Sequence, residues 1–209
     1  MVIPAYNEAA NVARVVGVAR AAALGPVLVV DDGSHDDTAE LARYAGADVL
    51  SLRPNRGKGG AVVAGAAHLS AGVVVLLDAD LLGLTPQHVR ALAAPVQAGT
   101  ADMTRGIFSG GRWRTTTAQR LTPQLNGQRG VSRENLLEVK GLAESRYGIE
   151  VAITEHARRH RWRVAEVPLP GVSQVMKEEK RGFWVGFGVR LKMYAEILLE
   201  LFRGWVRHG

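Results

Sequence analysis

Short apolar runs broken by turn residues set the pattern of the first half of the chain. Residues 27–30 and 73–77 are unbroken Val/Leu runs, the mark of strands covered on both faces rather than one. Residues 2–3, 48–52 and 101–107 read as further strands, the first ending at Pro4. Between them lie segments that read as helices. One spans 8–23 with Asn7 as its cap. Another runs to about Ala45, opened by Ser34 and Asp37 at capping-box spacing. An alanine-rich helix ends near Ser70, and a fourth opens with Thr85 as cap and Pro86 at its first position. Later in the chain, 132–139 and 149–159 read as helices. Residues 163–167 read as a strand ahead of Pro168 and Pro170, and 183–206 as one amphipathic helix.

Strands alternating with helices predict an α/β fold, a mostly parallel sheet with helices on both faces. Ligands of such sheets bind beyond the carboxyl ends of the strands. Those ends are residues 4–8, 31–34, 55–58 and 78–80, all rich in polar residues or glycine. Asp78 and Asp80 flank Ala79 after the longest apolar run. Two carboxylates at one strand end repel, and a hard divalent cation would relieve that. An acidic turn is the plainer alternative. Asp31 offers only acceptors, suited to a base edge, although Asp, Gly and Ser also make ordinary turns. Lys58, set among Gly57, Gly59 and Gly60, could approach a phosphate, yet no Ser or Thr follows it as in a P-loop. Tyr6 packs or binds; Glu8 suits a helix start.

Composition narrows the partners. The 209 residues are 47% hydrophobic, enough for one domain. With no Cys, disulfides and thiolate metal sites are excluded. No apolar run approaches the roughly 18 residues of a membrane span, and no signal segment leads the chain, so cytoplasmic residence is expected. The net charge is +6 with a pI near 10.1, and much of the excess follows residue 105. A phosphorylated substrate or an anionic membrane surface accounts for it as well as nucleic acid does, and no nucleic-acid motif accompanies it.

The segments VIPAYNE (2–8), VVDDGSHDDT (29–38), NRGKGGA (55–61) and LLDADL (76–81), in that order and spacing, resemble family 2 glycosyltransferases of the GT-A fold, a Rossmann-like arrangement. The resemblance implies that Pro4, Ala5, Tyr6, Glu8 and Asp31 bind the nucleotide and that Lys58 lies near it. It implies that Asp78, Ala79 and Asp80 hold ribose and a metal-bound diphosphate, with Asp80 the principal ligand of Mg2+ or Mn2+. Residues 123–129, including Gly127, Gln128 and Arg129, and 147–150, including Glu150, look like acceptor-side segments of enzymes close to polyprenyl-phosphate glycosyltransferases and glucosyl-3-phosphoglycerate synthases. In the latter a His after the last strand joins the metal; Gln174 stands at the comparable place here.

The expectation is therefore a metal-dependent glycosyltransferase using a UDP- or GDP-linked sugar. Asp80 and Glu150 are its catalytic candidates, Glu150 as a carboxylate facing the reacting sugar or acceptor. The nucleotide-sugar-binding half would span 1–107, the acceptor side 108–181 and a terminal helix 182–209, within a single domain. Arg129, Arg133, Lys177, Lys180 and Arg181 point to a phosphate-bearing acceptor. Residues 109–122 are a candidate lid or an ordinary loop. The tail could lie on a membrane surface, pack on the domain, or pair with a second copy. Alternatives are a sugar nucleotidyltransferase, or a non-catalytic module built on a transferase domain.

Overall fold

A computed structural model of the chain describes residues 1–109, 127–145 and 148–175. The lid candidate at 109–122, apart from Ser109, and Tyr147, Lys177, Lys180, Arg181 and the tail at 182–209 fall outside them.

Seven strands form one sheet in the order β3-β2-β1-β4-β7-β6-β8. They are β1 (Val2–Ala5), β2 (Leu28–Asp31), β3 (Asp48–Ser51), β4 (Val73–Leu76), β6 (Met103–Ser109), β7 (Arg129–Ser132) and β8 (Val164–Pro170). The two-residue strands β5 (Leu81–Leu82) and β9 (Ser173–Gln174) pair separately. All the β1–β4 pairings are parallel. Only β7 runs against its neighbours β4 and β6, so the sheet is mostly parallel, as the alternation predicts.

Side-chain alternation along buried strands builds two cores. Ile3, Val29, Val75 and Leu77 pack with α1 (Val12–Ala21), α2 (Thr38–Tyr44) and α4 (Pro86–Gln97) on one face. Val2, Leu28, Val30, Val74 and Leu76 pack on the other with α3 (Gly57–His68), α5 (Arg133–Glu138) and α6 (Ile149–Arg159). β4, central in this order, is buried on both faces, as its unbroken apolar run requires.

Several local expectations change. α1 starts at Val12, not near Glu8, because residues 8–11 form a turn closed by Asn11 N donating to Glu8 O at 2.9 Å. Asn7 is left-handed (φ 54°) and caps nothing in α1; its Oδ1 accepts from His35 N at 2.9 Å. The Ser34–Asp37 capping box does not form. Ser34 Oγ accepts instead from Asn7 N at 2.9 Å, so the two loops cap each other rather than their own helices. Thr85 behaves as read, accepting from His88 N with Pro86 at the first helical position. β8 runs on through Pro168 and Pro170, which an edge strand tolerates because its outer side needs no donors. The strand β7 is new: RGVS carries no strand-like alternation and is placed by its two neighbours.

Candidate functional site

The ends of β1 and β2 and the β3–α3 loop meet on the sheet's carboxyl edge. Ala5 is buried, Pro4 half-buried and Tyr6 40% exposed, its ring edge-on to His35. Glu8 N donates to Thr38 Oγ1 at 2.8 Å, and Asn11 Nδ2 donates to Glu8 Oε2 at 3.0 Å. Asp31 is buried, and its Oδ1 accepts from Ser34 N at 3.1 Å. Asp32 was not singled out by the motif, yet its Oδ1 accepts from Arg56 N at 2.7 Å and its carbonyl accepts from Asn55 Nδ2. It ties the glycine loop of Lys58 to the end of β2. Gly33 adopts φ 78°, open to glycine at no steric cost.

The centre of the site lies just past β4. Lys58 Nζ sits 2.7 Å from Asp78 Oδ1 and 2.6 Å from Glu150 Oε1. Gln128 Nε2 donates to Asp78 Oδ2 at 2.9 Å, and Gln174 Nε2 donates to the same oxygen at 2.5 Å. One carboxylate thus receives three side chains drawn from α3, the entry to β7, and β9. Burial opposes the charges here, but the attraction outweighs it. Burial would lower the Lys58 pKa, yet the carboxylates of Asp78 and Glu150 hold it above the ordinary lysine range. Burial would raise Asp78, yet Lys58 and the two amides hold it below the ordinary carboxylate range. Gly127 closes the cage: a Cβ there would stand 2.7 Å from Asp78 Oδ2 and 2.9 Å from Lys58 Nζ.

Asp80 and Ala79 lie in the turn after Asp78, with Ala79 buried and Asp80 half-buried. The antiparallel pairing of Leu81 with Gln174 brings β9 to this turn, and Val175 N donates to Asp80 O at 3.2 Å. Arg14, which the sequence reading passed over, donates from Nε to Leu81 O at 3.2 Å. Among the described residues no three His, Cys, Asp or Glu side chains converge as a metal cluster.

Two basic residues read as acceptor-facing point elsewhere. Arg129 is fully buried. Its guanidinium donates to Glu150 O at 3.1 Å and Thr154 Oγ1 at 3.0 Å, because β7 lies beneath α6. Burial pushes its pKa down to about 10. Arg133 donates from Nε to Ala66 O at 2.7 Å, satisfying a carbonyl in the last turn of α3. The acceptor-side reading of Gln128 likewise meets a different neighbour, Asp78.

Carboxylates, a lysine among glycines and buried amides thus meet at the carboxyl edge of a mostly parallel sheet. The profile of glycosyl transferase family 2 matches residues 1–155, and the chain belongs to that family. Among curated relatives, the undecaprenyl-phosphate 4-deoxy-4-formamido-L-arabinose transferase of Salmonella paratyphi A is 34% identical over 110 residues. That match covers 47% of this chain and 33% of the relative, so the similarity reaches only about a third of that protein. Glucosyl-3-phosphoglycerate synthase from Mycobacterium tuberculosis, solved with Mn2+, UDP and glucosyl-3-phosphoglycerate, superposes with a TM-score of 0.69 at 26% identity. The superposition covers 83% of this chain and 70% of that one. Another complex of that synthase, with Mn2+, UDP and phosphoglyceric acid, gives a TM-score of 0.76 over 97% of this chain and 76% of that one; at 24% identity it bears on the fold alone.

Proposed function

We propose that this chain moves a sugar from a nucleotide-diphosphate sugar to a phosphate-bearing acceptor, with Mg2+ or Mn2+ held at Asp80 and Asp78. The observation that carries the reading is the cage on Asp78, where Lys58, Gln128 and Gln174 converge on one carboxylate beside Glu150. The donor set suits magnesium or manganese. Such ions bind through one or two carboxylates together with substrate phosphates and water, not in an all-protein cluster. An ionised carboxylate offers about four acceptor positions, and three donors leave Asp78 one. Asp80 is then the principal ligand. When bound, the metal supplies charge neutralisation for the departing diphosphate.

The chain's own residues do the rest. Pro4, Ala5, Tyr6 and Glu8, with Asp31, form the wall for base and ribose, and Asp31 Oδ1 is already oriented by Ser34 N. Lys58 presents its ammonium beside the carboxylates, placed to follow phosphate charge. Glu150 faces the same ammonium and orients the reacting sugar or acceptor. An acceptor phosphate is already anionic at neutral pH, so its attack requires no general base. The named relatives act on undecaprenyl phosphate or were solved with phosphoglycerate compounds, which supports a phosphate-bearing acceptor. Arg129 and Arg133 no longer do, since both are engaged inside the fold. Membrane contact or a homodimer would rest on the tail beyond the described residues. No helix among the described residues is long and apolar enough to cross a membrane.

The test is two-staged. Calorimetry with UDP and GDP, with and without Mn2+, should show metal-linked binding that Asp80→Asn removes while the thermal transition persists. Labelled UDP- and GDP-sugars offered with polyprenyl phosphate, phosphoglycerate or a neutral sugar should label a phosphate acceptor. Transfer to the neutral sugar alone would refute the acceptor class.

A further inference from the structure

The least expected charge in the molecule is Arg129. It lies on an interior strand at 0% exposure, in register with Leu76 on one side and Arg105 on the other. Burying a guanidinium beside another arginine is costly unless its charge and donors are used. Arg105 is drawn off by Glu166. The charge of Arg129 faces Glu150 and Asp78, so Lys58 and Arg129 together balance those two carboxylates.

Arg129 Nη1 donates to Met103 Sδ at 3.4 Å, while two further hydrogen bonds converge on the start of α6. One Nη2 reaches the backbone carbonyl of Glu150 and Thr154 Oγ1, while Thr154 Oγ1 itself donates to Glu150 O at 2.6 Å. Glu150 belongs to the first turn of α6, whose N-cap residue, Gly148, has no side chain with which to cap it. A helix start without an N-cap side chain is where fraying begins. Glu150 is also where the site needs precision, since its carboxylate meets Lys58 at 2.6 Å.

We propose that Arg129 is a positioning residue: from β7 it clamps the first turn of α6 and so fixes the Glu150 carboxylate against Lys58 and Asp78. In this role Arg129 acts through Glu150, to whose carbonyl it donates at 3.1 Å. The proposal rests on the transferase reading for its kinetic arm only. Its structural arm, the order of the first turn of α6, stands without it.

The experiment uses Arg129→Lys, Glu150→Gln and the double variant of the full chain. Thr154→Val, which removes one acceptor of the same guanidinium with little change of shape, stands in should Arg129→Lys fail to fold. Amide hydrogen exchange should speed up by about tenfold or more over 149–155 in Arg129→Lys, with β1, β2 and β4 unchanged. Unchanged exchange there overturns the clamp whether or not the chain is a transferase. In the assay, Arg129→Lys should lower kcat about 10- to 100-fold, the effect of a small misplacement, with the acceptor KM held. In the Glu150→Gln background the same substitution should change kcat less than about twofold, the non-additivity expected of residues acting through one another. Full additivity overturns the proposal. So does a raised acceptor KM with kcat and exchange intact, which would make Arg129 an acceptor ligand. A wild-type chain that transfers nothing defeats the transferase reading and leaves the exchange result to decide the clamp.

Discussion

Asp31 and Asp78 both stand at the carboxyl ends of interior parallel strands of one sheet, yet they are held in opposite ways. Asp31 is satisfied by Ser34 N, three residues on. Asp78 is gripped by Gln128 and Gln174, 50 and 96 residues away, and by Lys58 from the start of α3. The first arrangement is a turn the segment can make alone. The second exists only when α3, β7, β9 and α6 are all in place. A carboxylate fixed by a turn keeps its shape when its surroundings change. One fixed by a cage reports on the assembly of the whole carboxyl edge, and its loss leaves Lys58 with a single carboxylate, Glu150.

That contrast is breakable. The largest expected effect is Asp78→Ala, which leaves Lys58 facing Glu150 alone and both amides without their acceptor. Removing one member of a buried pair costs about 3 kcal/mol or more, measured by chemical denaturation. The loss should also depend on pH. Because Asp78 is held below its ordinary range, its stabilisation is complete above the unfolded-state value of about 4 and fades as pH falls through the lower folded value. Lys58, held above its range, contributes fully below about 10.4 and loses its contribution only as pH rises through its folded value. The gap between wild type and Asp78→Ala should be flat from about pH 5 to 9 and shrink below about pH 4. A constant gap down to pH 2.5 would show that the charge on Asp78 is not what stabilises.

Next comes Gly59→Ala, which tests whether the cage depends on helix placement. A Cβ at Gly59 would lie 1.9 Å from Leu142 O and 2.4 Å from Ser145 O, and Gly59 N donates to Ser145 O at 3.1 Å. Backbone cannot yield as a side-chain tip can, so a loss of about 2–3 kcal/mol is expected. An unchanged melting temperature would mean that α3 floats free of the 142–145 turn. Asp31→Ala should cost less, about 1 kcal/mol, the scale of one hydrogen bond. It should weaken nucleoside diphosphate binding while leaving pyrophosphate binding alone. Equal losses for the two ligands would make Asp31 structural. The smallest effect belongs to Tyr44→Ser. Tyr44 is 92% exposed at the end of α2, and a change within about 0.5 kcal/mol is expected. A larger loss would reveal a contact that this exposure does not suggest.

By itself the sequence determined the first half of the fold and which residues crowd the carboxyl edge. Short Val/Leu runs bounded by turn residues read as strands covered on both sides, and Thr85 with Pro86 starts a helix by local chemistry alone. The 149–159 helix also stands where its pattern places it. Tertiary structure decided what local chemistry leaves undetermined. Asn7 and Ser34 each had the composition of a cap, but each spends its side chain on the other's loop, 27 or 28 residues away. A four-residue RGVS segment became an interior strand because β4 and β6 offered it two edges. Gln174 reached Asp78 through a two-residue pairing too short to leave a pattern. Arg129 reads as a surface cation in any list of charges. Only the packing of α6 over β7 buries it, because a buried guanidinium is tolerable just where carbonyls, hydroxyls and carboxylates have converged from distant parts of the chain.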